Sequence, residues 1–220
     1  MRKSEDKYLH KGLRKQLVAL LMEKGITDEN VLEAIGAIPR HFFLDSAFER
    51  IAYEDRAFPI AANQTISQRY TVAYQTQLLK VKKGDKVLEI GTGSMYQTTV
   101  LAAIGAHVYT IERQKQLFKQ TAHYAFKDQY PNIQFFFGDG FEGQAAFAPY
   151  DKILITAAAP KIPEKLWEQL KVGGMMVIPL DESEEVQRML RLTKKKDGTA
   201  KQESFDAFSF VPMLQGKTQN

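Results

Sequence analysis

The sequence predicts an α/β fold: a doubly wound, mostly parallel sheet of seven strands, with an antiparallel hairpin at one edge and a helical cover before it. Three observations predict it. From residue 86 onward, short apolar runs alternate with stretches of helical periodicity, which implies right-handed crossovers between parallel strands. Near the C-terminus two strand-like runs flank Asp197-Gly198 with no helix between them, so they must pair antiparallel. Residues 1–80 instead read as helices followed by an irregular polar segment.

The elements follow in order. Residues 4–24 are amphipathic, with Leu13, Leu17, Leu20 and Leu21 at helical spacing, and Gly25 ends them. Thr27-Asp28 can cap a second helix carrying Val31, Leu32 and Ile35, which Pro39 breaks. Residues 53–68 read as a long polar loop, of the kind that is usually functional or mobile. A helix is expected from Ser67 to about Leu79. KVLEIG (86–91), HVYTIE (107–112), IQFFFG (133–138), DKILITA (151–157) and MMVIPL (175–180) read as strands. Helices are expected over Tyr96–Ile104, Gln114–Lys127 and residues 163–170. VQRMLRLTK (186–194) and FDAFSFVPM (205–213) form the hairpin, with Lys194 to Lys196 as its solvated end. The expectation is a single domain over 1–220, with 1–80 as helices and loop and 81–220 as a Rossmann-like core.

Composition narrows the chemistry. The chain of 220 residues has no cysteine, which removes disulfides, thiolate metal sites and a cysteine nucleophile. No metal site is expected. The N-terminal MRKSEDKYLHKGLRK has no apolar run and is not read as a signal peptide. No apolar stretch is long enough to span a membrane, so a cytoplasmic location is expected. A net charge of +4 permits a nucleic-acid partner without demanding one.

In an open α/β sheet, ligands bind beyond the carboxyl ends of the strands. Four features fall there. Gly91-Thr92-Gly93-Ser94-Met95 follows the first strand, and Glu112 closes the second, 21 residues after Gly91. An acid at that spacing commonly accepts hydrogen bonds from ribose hydroxyls. Gly138-Asp139-Gly140 follows the third strand and Thr156-Ala157-Ala158 the fourth. A dinucleotide loop would need glycine at 96, where Tyr96 stands, and a pyrophosphate needs that close approach. S-adenosylmethionine carries a ribose and an adenine but no phosphate. Glu89, Gly91 and Gly93 supply an E-x-G-x-G start for it, with Glu112 and Asp139 as the acids.

These segments together resemble the protein-L-isoaspartate (D-aspartate) O-methyltransferase family. IPRHFF (38–43), AYEDRAFPI (52–60), QTIS (64–67), VLEIGTGS (87–94), GDG (138–140), PYDKILITAA (149–158), QLKVGGMMVIP (169–179) and FVPM (210–213) occur in family order over nearly the whole chain. The resemblance implies an S-adenosylmethionine-dependent methyltransferase sheet of seven strands. It implies methylation of the free carboxylate of L-isoaspartyl and D-aspartyl residues in damaged proteins, with repair through a succinimide. Its partners would be isoaspartyl-containing proteins and peptides, not nucleic acid or membrane, and the chain would be a monomer. Ser67 would be the active-site residue, with Gln64 and Thr65 beside it at the substrate. Thr65, Ile66, Glu89, Gly91, Thr92, Gly93, Ser94, Glu112, Arg113, Asp139 and Gly140 would hold the cofactor. Ser67 can also be read as the N-cap of the helix that follows it, and the two roles are compatible.

The chain departs from the family pattern at three places. Met95 stands where the family has glycine, Arg69 where it has proline after QTISQ, and Ala61-Ala62-Asn63 where it has a glycine-containing stretch. Met95 is strained if its φ is positive and unstrained if it lies in the first helical turn. An alternative reading is therefore a cofactor-binding relative with weak or different methyl-acceptor activity. A nucleic-acid methyltransferase is disfavoured, because Thr156 to Pro160 lacks an acidic or amide group for a flipped base. His41 could carry a proton but reads as packing within the aromatic Pro39–Phe43 anchor, Asp55 and Arg56 as a local ion pair, and Trp167 as core or rim.

Overall fold

The computed structural model describes residues 5–183 and 186–218. Two helices open the chain, α1 (Tyr8–Glu23) and α2 (Glu29–Ala37). Asp28 caps α2 by accepting the amides of Asn30 and Val31. Leu17 and Leu21 of α1 and Val31 and Ile35 of α2 bury one apolar core with Ile66, Val72 and Val100. Residues 40–68 then run as short 3-10 turns around a two-residue pairing of β1 (Phe58–Pro59) with β2 (Thr65–Ile66).

The main unit has β3 (Lys86–Ile90), β4 (His107–Glu112), β5 (Ile133–Phe137), β6 (Tyr150–Ile155), β7 (Leu170–Asp181), β8 (Gln187–Lys194) and β9 (Ala200–Phe208). Its helices are α3 (Arg69–Leu79), α4 (Tyr96–Ala103), α5 (Lys115–Gln120) and α6 (Glu164–Gln169). The seven strands lie in the order β5-β4-β3-β6-β7-β8-β9. Pairing is parallel from β5 to β7 and antiparallel through β8 and β9. Val87, Leu88 and Ile90 of β3 are all buried, as expected of a strand covered on both faces. The α/β class, the seven strands and the antiparallel edge all agree with the sequence.

The boundaries differ in informative ways. Helix α5 stops at Gln120, well short of Lys127. Tyr124 turns inward to share a 2.6 Å hydrogen bond with Thr99, and Phe126 stacks 5.4 Å from Phe43. Those anchors are incompatible with a straight helix through 127. The last strand is Ala200–Phe208 rather than 205–213. Beyond it, the Ala158 amide donates to Val211 and the Met213 amide donates to Ala158, which pulls 211–213 off the edge and across the carboxyl ends.

The chain passes β3 to β4 to β5 in one direction, then returns to place β6 on the other side of β3. The loops after β3 and β6 therefore diverge, which opens a crevice at that switch point. No described helix is long and apolar enough to cross a membrane.

Candidate active site

The glycine loop sits in the crevice with its neighbours pinned from both sides. Thr156, after β6, donates to the carbonyls of Ile90 (2.9 Å) and Gly91 (3.0 Å). Gly91 has φ +98°, and a Cβ there would come 2.5 Å from the Thr156 Oγ1. Only glycine lets this backbone lie so close. The Gly93 amide donates to Glu112 Oε2 at 2.9 Å. Thr92 turns inward to Thr110, with their hydroxyls 2.7 Å apart. Met95 is the N-cap of α4 and has φ 71°, ψ 4°, so the left-handed alternative holds. It is held there by its amide, which donates to the Thr92 carbonyl at 2.8 Å, and by Thr99, whose hydroxyl donates to the Met95 carbonyl at 2.7 Å. That conformation costs a non-glycine residue roughly 1–2 kcal/mol.

Glu112 is 4% exposed and closes β4. Its Oε1 accepts the Gln114 amide at 2.8 Å and its Oε2 the Gly93 amide. Burial pushes its carboxyl upward, and those backbone donors oppose the shift. Each oxygen keeps a lone pair free, because a carboxylate accepts about four bonds in all. The acid faces a narrow cleft of about 110 Å3 shared with Gly91, Gly93, Arg113, Gly140 and residues 211–214.

Glu89 is placed elsewhere. It is fully buried, accepts the Thr98 hydroxyl at 2.5 Å, and burial pushes it up to about 8. It anchors α4 to β3 and does not line the cleft. Ile66 and Thr92, each 3% exposed, also lie behind the walls. Asp139 follows β5, but its carboxylate is turned to backbone amides, accepting Phe141 at 2.9 Å and Gly216 at 2.6 Å. Arg113 likewise donates to the carbonyls of Gly216 and Gln215. These two residues hold the segment after Leu214 over the cleft. Ser94 accepts the Tyr96 amide at 3.3 Å and borders a separate cavity with Met95 and Phe126.

A wider cleft of about 670 Å3 adjoins the narrow one. Thr65, Thr156 and Val211 line both, so the two meet at these residues. Ser67 and Gln68 lie in the wider cleft, and Gln64 in the narrow one. The wider cleft is lined by hydroxyls, an amide and apolar groups, with no acid or base among its described residues. Helix α3 begins at Arg69, its N-cap is Gln68, and no side chain caps it. Ser67 is thus not the cap residue. Its carbonyl accepts Arg40 Nη2 at 2.7 Å. The bend before it uses positive φ at Ala62 (58°) and Asn63 (53°), in the stretch where the family pattern has glycine.

The narrow cleft fits a nucleoside cofactor without phosphate. It offers a buried carboxylate with free lone pairs, a Cβ-free cradle at Gly91, and apolar walls from Ile90 and Ile111. Its one basic group, Arg113, is occupied by the carbonyls of Gln215 and Gly216. A pyrophosphate would find no partner there. Other residues of the cleft lie outside the sequence-based set: Thr156 reads only as a strand end, Gln114 carries no motif, Met213 reads as the last residue of a strand, and Leu214 has no reading. The small residues around Thr156 were the available signal for a close backbone approach.

Other sequence expectations resolve simply. His41 is buried, with Nδ1 2.8 Å from the Tyr53 hydroxyl, and burial with His10 nearby pushes it down to about 4. Asp55 and Arg56 do not pair: Asp55 meets Lys24, and Arg56 meets Glu54 at 3.1 Å. Trp167 is a rim residue whose Nε1 donates to the Gly198 carbonyl. Lys194 is not solvated, since its ammonium donates to the carbonyls of Trp167 and Leu170 at the end of α6.

Comparison with known proteins agrees with this geometry. The family model described as Protein-L-isoaspartate(D-aspartate) O-methyltransferase matches residues 12–218. A protein-L-isoaspartate O-methyltransferase of Christiangramia forsetii is 54% identical over 213 residues, covering 97% of this chain and 99% of that protein. A solved protein-L-isoaspartate O-methyltransferase superposes with TM-score 0.81 at 28% identity, over 90% of this chain and 65% of that one. A Plasmodium falciparum structure in complex with S-adenosyl-L-homocysteine shares the fold, with TM-score 0.78 at 24% identity over 91% of this chain and 98% of that one. With a family match over almost its full length and a relative more than half identical to it, the chain belongs to the protein-L-isoaspartate O-methyltransferase family.

Proposed function

We propose that the narrow cleft holds the methyl donor and the wider cleft the acceptor, and that Ser67 orients the acceptor carboxylate. The reaction is protein-L-isoaspartate O-methylation with S-adenosyl-L-methionine, which initiates repair of isoaspartyl sites in proteins. When bound, that cofactor supplies an electrophilic methyl group on a sulfonium.

The observation that carries the assignment is the shared wall at Thr65, Thr156 and Val211, where the two clefts meet. Gly91, Gly93 and Glu112 would hold the donor's ribose and chain, while Asp139 and Arg113 keep the segment after Leu214 folded over it. The acceptor is a carboxylate, already ionised at neutral pH. It needs alignment and a dry approach, not a general base. The lining of the wider cleft suits this, with hydroxyls at Thr65 and Ser67 and no titratable group among its described residues. Either hydroxyl can donate to one carboxylate oxygen and leave the other free to attack.

Ser67→Ala tests the reading. Its kcat/KM for an isoaspartyl peptide should fall about tenfold or more, the loss expected for one hydrogen bond to a charged group. Affinity for S-adenosyl-L-homocysteine should stay within about twofold of the parent, since Ser67 lines only the wider cleft. An unchanged kcat/KM would remove Ser67 from the site.

A further inference from the structure

We propose that Arg40 is a positioning residue for methyl transfer, fixing the acceptor segment at Ser67 against the start of the donor loop's helix. Arg40 is 0% exposed, among the largest fully buried side chains of the described residues. Its Nη2 donates to the Ser67 carbonyl at 2.7 Å. Its guanidinium carbon lies 4.8 Å from the centre of the Tyr96 ring. Tyr96 is itself 1% exposed and directly follows Met95 in the chain. One side chain therefore touches both halves of the reaction centre from behind.

Among the described residues its Nε and Nη1 have no hydrogen-bond partner. A buried cation with two idle donors is poor packing, and an apolar side chain would fill the space with less desolvation. What an apolar residue could not do is grip a carbonyl and lie on a ring at once. Guanidinium is suited to both, because it is planar and stacks on aromatic faces while still donating. Arg69, 3% exposed with its own Nε unpartnered, adds a second buried cation just past Ser67. Asp55 attracts both guanidinium groups but is itself engaged by Lys24 and the Tyr70 amide. The acceptor segment thus rests on net positive charge, which favours an approaching carboxylate.

The inference rests on Ser67 lying beside that carboxylate. Arg40→Met, Tyr96→Leu, Ser67→Ala and Arg14→Met are made in the full chain and assayed with an isoaspartyl peptide and S-adenosyl-L-methionine. Arg14 is the control, a buried arginine of the N-terminal cover that pairs with Asp6 at 2.7 Å and borders neither cleft. Arg40→Met should lower kcat at least about tenfold, since small misplacements of reacting groups cost up to about a hundredfold. Its KM for the cofactor should stay within about twofold, and Arg40→Lys should recover part of the kcat, as expected where a donor and charge are restored. Arg14→Met should lose thermal stability yet keep its kcat.

Wild-type kcat in folded Arg40→Met would overturn the proposal. So would losses in Arg40→Met and Arg14→Met that simply track melting temperature. If Arg40→Met does not fold, Tyr96→Leu decides: it keeps the bond to Ser67 and removes the ring, so an unchanged kcat overturns the proposal. A loss in Ser67→Ala without one in Arg40→Met sinks the Arg40 role alone. No loss in Ser67→Ala sinks the placement of the site, and the Arg40 role with it.

Discussion

The carboxylate of Glu112 accepts the amide of Gly93 at 2.9 Å, so the acid that closes β4 and the loop that opens α4 fix each other. The same carboxylate keeps lone pairs free toward the narrow cleft. Glu112→Gln keeps the shape and removes the charge. Affinity for S-adenosyl-L-homocysteine should fall by roughly tenfold, as expected for losing charge-assisted bonds. Isothermal calorimetry reads this directly, and an unchanged Kd would mean that Glu112 serves only the loop.

Met95 stands at φ 71° at the head of α4. Glycine adopts that backbone freely, so Met95→Gly should stabilise the protein by about 1 kcal/mol or slightly less, after allowing for the lost side-chain packing. Urea unfolding measures it. A destabilised variant would show that the methionine's contacts with the aromatic cavity outweigh its backbone strain.

Arg69 is buried at the first position of α3, with its Nε unpartnered. Gln68 before it is extended (φ −52°, ψ 149°), which suits a following proline. Arg69→Pro should therefore hold or raise stability, by up to about 1 kcal/mol, because proline is favoured at a helix's first turn. A clear drop in melting temperature would mean that the guanidinium is held by attraction to Asp55 more strongly than burial opposes it.

Burial raises Glu89 from an ordinary 4.5 to about 8. Between those values the folded chain keeps a proton that the unfolded chain has lost. Stability must then fall as pH rises through that window, by roughly a few kcal/mol. Glu89→Gln, which can still accept from Thr98, should flatten the slope. Unfolding midpoints of the ligand-free protein at pH 6 and pH 8 test it. Parallel slopes in parent and variant would place the pH dependence elsewhere.

Much of this was legible in the residues. Short apolar runs such as KVLEIG and DKILITA, alternating with helical stretches, read as buried strands of a parallel sheet. Glycines at 91 and 93, with an acid at 112, located the cleft because close backbone approach and ribose recognition demand those types. Side-chain direction was not legible. Glu89 and Glu112 both sit on strands near the loop, yet one points into the core toward Thr98 and the other into the cleft. Asp139 also ties down Gly216, a contact made 77 residues away along the chain. Arginine is seldom fully buried, yet Arg40 and Arg69 are, in the packing of the irregular segment 40–68 against α3 and α4. Such long-range closures leave no periodic trace in a sequence.

The central claim is tested most directly by methyl transfer from labelled S-adenosyl-L-methionine to two short peptides, identical except that one holds L-isoaspartate and the other ordinary aspartate. Label in the isoaspartyl peptide alone is the predicted result. It would also show that the loop carrying Met95 presents its cofactor productively. Label in neither, from a folded protein that still binds S-adenosyl-L-homocysteine, would contradict the account.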